Sequence, residues 1–85
     1  MWSVELSPKA QEEFAKLDGS VKEIFARHLK KLEAGLPRKH LKKKAEYAIE
    51  EVGQGRIICR ACEEIIVVAH IFATHKEYEK WYREL

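Results

Sequence analysis

Residues 65–73, Ile-Ile-Val-Val-Ala-His-Ile-Phe-Ala, constrain this chain more than any other segment. Strand side chains alternate between two faces, so a strand built from this run is apolar on both faces until His70 interrupts it. The run reads as a buried strand, and the rest of the chain must supply what buries it.

The segments before it have two different periods. Trp2, Val4 and Leu6 alternate with Ser3 and Glu5, the pattern of a half-buried first strand. Ser7-Pro8 reads as a helix N-cap followed by proline at the first helical position. Ala10, Phe14 and Leu17 then form the inner face of a short helix that Asp18-Gly19 ends. Ser20-x-x-Glu23 fits a capping box opening a second helix. Its apolar stripe is Val21, Ile24, Phe25, His28, Leu29 and Leu32, and Gly35 and Pro37 stop it. Within that stripe His28 reads as a packed histidine at the core edge rather than a ligand.

From Tyr47 onward the period becomes that of strands. Tyr47 to Val52 and Arg56 to Ala61 read as strands joined by the turn Gly53-Gln54-Gly55. Cys62-Glu63-Glu64 makes the next turn, the long strand follows, and a short helix from His75 to Glu84 closes the chain. Three successive strands give an antiparallel meander, with the first strand pairing along one edge. The expected fold is α+β: an N-terminal strand and a two-helix hairpin packed on one face of a small antiparallel sheet, with a short C-terminal helix. Residues 1–85 make one domain in this reading. The second sheet face is left open apart from what the last helix covers, and that face favours pairing of two copies when no partner is bound.

No apolar run approaches the length of a membrane span and no signal-peptide pattern opens the chain, so a cytoplasmic location is expected. The net charge is only +2, but Arg38-Lys39-His40-Leu41-Lys42-Lys43-Lys44 concentrates five Lys/Arg without an acid. Such a run is either a solvated loop or a contact to nucleic-acid phosphates, where it displaces condensed counterions. Cys59 and Cys62 lie on a strand and turn rather than at a helix N-terminus, where a redox pair gains its low thiol pKa. A zinc site there would need His70 or His75 as well. Structural or incidental cysteines are expected, with no metal and no cofactor.

Alternation also assigns faces. Tyr47, Ile49 and Glu51 share one side of the second strand, and Ala48, Glu50 and Val52 the other. On the third, Ile57, Cys59 and Ala61 read as core, which points Arg56, Ile58 and Arg60 to the open face. Two arginines there suit a phosphate, through bidentate contacts, or pair with Glu50 across the hairpin. His70 belongs either beside the helices or on the open face. His75 and Lys76 stand where the long strand ends, Tyr78 and Tyr82 share a helical face, and Trp81 is expected to be mainly core.

The element order, the stretch ending in His40-Leu41-Lys42, the strand around Gly55-Arg56-Ile57 and the terminal Tyr82 resemble the RelE/ParE superfamily of type II toxin–antitoxin toxins. Ala73-Thr74-His75-Lys76-Glu77-Tyr78-Glu79 is similar to the Thr-His-x-Glu-Tyr-Asp segment of the HigB branch. The resemblance implies a metal-independent mRNA endoribonuclease that works in the ribosomal A site. There the 2′-hydroxyl attacks the adjacent phosphate, leaving a 2′,3′-cyclic phosphate and a 5′-hydroxyl. It also implies an antitoxin partner that covers the site or displaces the C-terminal helix. Arg56 matches the family's phosphate-binding arginine, Lys76 falls where RelE has another arginine, and Tyr82 matches the C-terminal tyrosine. His75 matches the histidine of the HigB segment. Where RelE carries two lysines on its second strand, this chain has Ala48 and Glu50.

RNA cleavage of this kind needs a base, an acid and positive charge on the phosphate. The expected set is Arg56 and Lys76 as charge stabilisers with Arg60 as helper, His75 as general acid or base, and Glu50 as a base. Tyr82 stacks on a nucleobase or donates a hydrogen bond, Tyr78 lines the RNA path, and Lys42, Lys43 and Lys44 hold RNA backbone. Two other functions fit the same fold: a ParE-like inhibitor of DNA gyrase, and a toxin-like binding module without catalysis.

Overall fold

A computed structural model describes residues 1–85. Strand β1 (Ser3–Leu6) leads into helices α1 (Pro8–Ala15) and α2 (Gly19–Lys31), the latter ending in a 3-10 turn, Leu32–Ala34. Strands β2 (Ala48–Val52), β3 (Gly55–Cys62) and β4 (Ile65–Phe72) follow, then helix α3 (His75–Arg83).

Local chemistry sets the helix starts. The Ser7 hydroxyl accepts from the Ala10 N–H at 3.1 Å and donates to the Ala69 carbonyl at 3.0 Å, so one side chain caps α1 and ties it to β4. At α2 the expected Ser20 capping box does not form. Asp18 is the N-cap, with extended φ and ψ of −63° and 154° and no side-chain cap bond, and its carbonyl already accepts from the Lys22 N–H at 2.7 Å. The helix has therefore begun before Ser20. Thr74 caps α3, accepting from the Glu77 N–H at 3.2 Å and donating to the Glu77 carboxylate at 3.0 Å. This Thr-x-x-Glu pairing went unread in the sequence.

The sheet order is β1-β4-β3-β2. The meander is antiparallel, as expected, while β1 runs parallel to β4, with Ser3 opposite Ile65 and Leu6 opposite Val68. The sheet is thus mixed. Where β1 ends, α1 takes over the β4 edge: the Ser7 N–H donates to Val68 O at 2.9 Å, and the Ile71 N–H donates to Glu13 Oε1 at 2.8 Å. An edge that would otherwise expose unpaired backbone is thereby satisfied.

Both faces of the sheet are covered, which accounts for β4 being apolar on both sides. Under α1 and α2 lie Ala10, Phe25, Leu32, Ala48, Val52, Ile57, Cys59, Ile66, Val68 and Ile71. On the other face Leu41, Ile49, Ile58 and Phe72 form a second core, roofed by Tyr47, Tyr78, Trp81 and Tyr82. The expectation of an open second face is corrected here, because α3 and the segment around Leu41 close it. Ile58 is fully buried, so the face proposed to drive self-pairing is already occupied. Ile24, by contrast, is 42% exposed despite its place in the α2 stripe. No helix is long and apolar enough to cross a membrane.

Gly55 opens β3 under a tight constraint. A Cβ there would sit 2.5 Å from Phe25 Cζ and 2.7 Å from the Phe72 carbonyl oxygen. Only glycine lets α2 and β4 approach the residue that precedes Arg56.

Candidate active site

The antiparallel register places Glu51 opposite Arg56, and Arg56 opposite Phe72, where β4 ends. Two residues after Phe72, the Thr74 cap starts α3 with His75 as its first residue. Hairpin register and helix capping together bring Arg56, Glu51 and His75 to one corner of the α3-covered face.

The Arg56 side chain is only 14% exposed. Its Nη1 donates to the Gly53 and Gly55 carbonyls at 3.2 and 2.8 Å, folding the arginine onto its own turn. Its Nη2 donates to His75 Nδ1 at 3.4 Å and lies 3.8 Å from Glu51 Oε2. The guanidinium also packs 5.7 Å from the Tyr78 ring centre. Three of the five N–H donors of an arginine are thus engaged, leaving two for a ligand.

His75 links this corner to α3. Arginine can only donate, so the contact from Arg56 makes Nδ1 the acceptor, and a neutral His75 carries its proton on Nε2. Nε2 faces the Glu79 carboxylate, 2.5 Å away and one helical turn on. Glu51 also pairs with Lys39 at 2.8 Å. The Lys39 hydrogen bond and charge, joined by Arg56, hold the exposed Glu51 carboxyl below the usual carboxylate range. Burial, with Tyr82 alongside, pushes the Tyr78 hydroxyl above its ordinary value, so it stays protonated.

One turn beyond Tyr78, the Tyr82 ring lies 5.8 Å away. Lys43 Nζ sits 4.7 Å from the Tyr82 ring centre and donates to the Tyr82 carbonyl at 3.1 Å. A cation at the C-terminal end of a helix is favourably placed. The basic segment is thus fastened at two points, by Lys43 on α3 and by Leu41 in the second core, while Lys42 and Lys44 are exposed. The arrangement is a strip of cation and aromatic ring running from Arg56 through Tyr78 to Tyr82 and Lys43.

Of the other expected site residues, Glu50 and Arg60 lie away from this corner. Glu50 points to the opposite face, where its carboxylate lies 2.7 Å from His28 Nδ1 and 3.4 Å from Lys31 Nζ. It borders an open cleft of about 540 Å³ between the end of α2, residues 35–39 and β2. It is the neighbouring acid, Glu51, that stands beside Arg56. Arg60 is separated from Arg56 by the buried Ile58, roughly 13 Å along the strand, too far to share one phosphate. Lys76 is exposed on the first turn of α3. Trp81 packs edge-on to Tyr47 and tilted against His70 and Phe72. His70 lies on the α3 face, stacked on Phe72 at 5.1 Å, and reaches around the edge to Glu13 at 3.3 Å. Burial pushes the Cys59 thiol up to about 12, while Cys62 is exposed, and the two are not bonded.

The sequence reading missed Glu51, Lys39 and Glu79. The i,i+4 spacing of His75 and Glu79 was a signal available for the last of these.

No protein-family model and no curated protein matches this chain. Solved structures do. The isolated E. coli RelE toxin matches with a TM-score of 0.75 over 100% of both chains, at 17% identity. The YoeB–YefM toxin–antitoxin complex of Staphylococcus aureus supplies a chain with a TM-score of 0.65 and 17% identity, covering 85% of this chain and 95% of that one. The chromosomal ParDE toxin–antitoxin system of P. aeruginosa supplies another at 0.69 and 13%, covering 87% and 97%. The chain therefore has the RelE/ParE toxin fold.

Proposed function

We propose that this chain is the toxin of a type II toxin–antitoxin pair and that it cleaves messenger RNA on the ribosome. The observation that carries this reading is the meeting of a cation, a carboxylate and an imidazole at Arg56 Nη2, with His75 Nδ1 at 3.4 Å and Glu51 Oε2 at 3.8 Å. Phosphodiester transfer to a neighbouring 2′-hydroxyl needs a base, an acid and positive charge on the phosphate, and a carboxylate, an imidazole and a guanidinium can fill those three roles.

In this mechanism Arg56 binds the non-bridging phosphate oxygens and offsets the charge that builds on them. Glu51 takes the 2′-hydroxyl proton as the 2′-oxygen bonds to phosphorus. The bond from phosphorus to the 5′-oxygen breaks, and His75, protonated on Nδ1, gives that proton to the leaving oxygen. The products are a 2′,3′-cyclic phosphate and a 5′-hydroxyl. A phosphate on Arg56 and Lys39 shares the two cations that depress Glu51, which makes the carboxylate a better base when substrate is present. Tyr78 and Tyr82 offer ring faces to flanking bases, and Lys43 with Lys42 and Lys44 holds backbone phosphates.

An antitoxin is the natural partner in this reading, since the YoeB and ParE neighbours come from toxin–antitoxin assemblies. Gyrase inhibition on the same fold needs no acid and base around Arg56, so this cluster favours the nuclease.

The test is expression in bacterial cells without an antitoxin, with the 5′ ends of messenger RNA mapped. Growth arrest with new cuts inside translated frames is expected, lost in Glu51→Gln and His75→Gln and kept in a folded Glu50→Gln. Arrest with intact messengers and damaged DNA would point to gyrase instead. A soluble, folded chain that leaves growth unchanged would leave a binding module without catalysis.

A further inference from the structure

His75 has two ring nitrogens, and the fold assigns each a different neighbour. Nδ1 faces Arg56 from β3, and Nε2 faces Glu79, four residues along α3. The remaining charged groups at this corner are Glu51 on β2 and Lys39 in the preceding loop, which pair with each other, and the neutral Tyr78 hydroxyl. Once His75 is protonated on Nδ1, as the donor role requires, it can no longer accept from Arg56, and that bond ceases to fix the imidazole. Glu79 is then the one charged group still in contact with the ring.

From this geometry we propose that Glu79 is the positioning residue of the His75 proton donor. It does not touch substrate. Its carboxylate holds the Nε2–H side of the ring, turns Nδ1 toward the phosphate at Arg56, and stabilises the imidazolium that must form before the leaving oxygen can be protonated. The inference rests on the role given to His75 above. In the unbound chain the two side chains are 50% and 53% exposed, so water screens the pair and its effect on folding is small. When RNA and ribosome cover the corner, water is excluded and the same pair acts at lower dielectric. The effect on turnover is therefore larger than the effect on folding.

The ordinary alternative is a surface i,i+4 ion pair that only supports α3. Glu79→Gln and Glu79→Ala separate the two roles. Both variants are expected to keep the wild-type urea midpoint nearly unchanged. Both are expected to lower kcat for ribosome-bound mRNA cleavage by about ten- to hundredfold with little change in KM, part of the 10²–10⁴ that a positioned acid contributes. Loss of a neighbouring carboxylate favours the neutral ring, so the alkaline limb of the pH–rate profile moves to lower pH. Glu79→Asp should recover part of the rate.

The His75 ring resonances, followed by NMR against pH in the free chain, give a readout that needs no cleavage. In Glu79→Gln the ring is expected to lose its proton at lower pH than in the wild type. An unchanged ring titration overturns the proposal whether or not the chain cuts RNA. A shifted titration with unchanged kcat and pH profile also overturns it. A wild-type chain that cuts no RNA defeats the nuclease reading separately, and the NMR comparison still decides whether Glu79 controls His75.

Discussion

Arg56→Ala is the substitution on which the site stands or falls, and the structure changes what it should do. An arginine on an open sheet face would add little to stability. This one is 14% exposed, bonds two carbonyls of its own hairpin and packs on Tyr78. A partly desolvated cation–π contact is worth about 1 kcal/mol. Each charge-assisted bond to a turn carbonyl that water can reach adds about 0.5–1 kcal/mol. The exposed Glu51 pairing adds almost nothing. The expected loss is about 2–3 kcal/mol, which lowers the urea midpoint by about 1.3–2 M at a slope of about 1.5 kcal/mol per molar. In the proposed mechanism Arg56 is the principal phosphate donor, so its loss is expected to lower the cleavage rate by a further factor of about 10²–10³. The assay pairs urea unfolding with cleavage of ribosome-bound mRNA under conditions where the variant remains folded. Arg56→Lys is the companion, keeping the charge but losing the fork. A midpoint shift below about 0.3 M would refute the packing argument. Full cleavage by a folded Arg56→Ala chain would refute the site.

Two further outcomes follow from the core. Gly55→Ala drives a methyl into Phe25 and the Phe72 carbonyl, so it should destabilise by about 1–3 kcal/mol, read as a lower urea midpoint. An unchanged midpoint would mean that the contact between α2 and β3 is looser than described. Cys59 is buried and its thiol is pushed up to about 12 from 9.0, chiefly by burial and also by Glu50. A folded-state value above the unfolded one contributes stability that is complete below pH 9 and lost as pH rises toward 12, up to about 4 kcal/mol. In the folded chain at pH 8 a thiol reagent should therefore modify Cys62 alone, with Cys59 reacting only on unfolding. Rapid modification of both thiols in the native protein would contradict the burial.

Much of the architecture was legible because it is encoded in short-range pattern. The Ser7-Pro8 start, the Gly53-Gln54 turn and the apolar run of β4 each act through neighbouring residues. The α2 start was misplaced by a local ambiguity, because Asp18 and Ser20 are both competent caps and only the Lys22 bond to Asp18 shows which one the helix uses. Of the proposed site, residue type and resemblance single out Arg56, His75 and Tyr82, and the structure brings Arg56 and His75 together and puts Tyr82 on the same helix as His75. Glu50, the acid singled out in the sequence, faces the other side of the sheet, beside His28. Glu50 and Glu51 are chemically alike, and the hairpin register alone puts Glu51 beside Arg56.

The sequence by itself determined the kinds of element, their order and the alternation of side chains within each strand, since these depend on backbone preference and periodicity over a few residues. Tertiary structure decided the parallel pairing of β1, the closure of the second face by α3 and the Leu41 segment, and the choice of Glu51 over Glu50. Those outcomes depend on contacts between residues far apart in the chain. A strand's period of two says that neighbouring acids face opposite ways. Only the register of the β2–β3 hairpin says which of them meets the arginine.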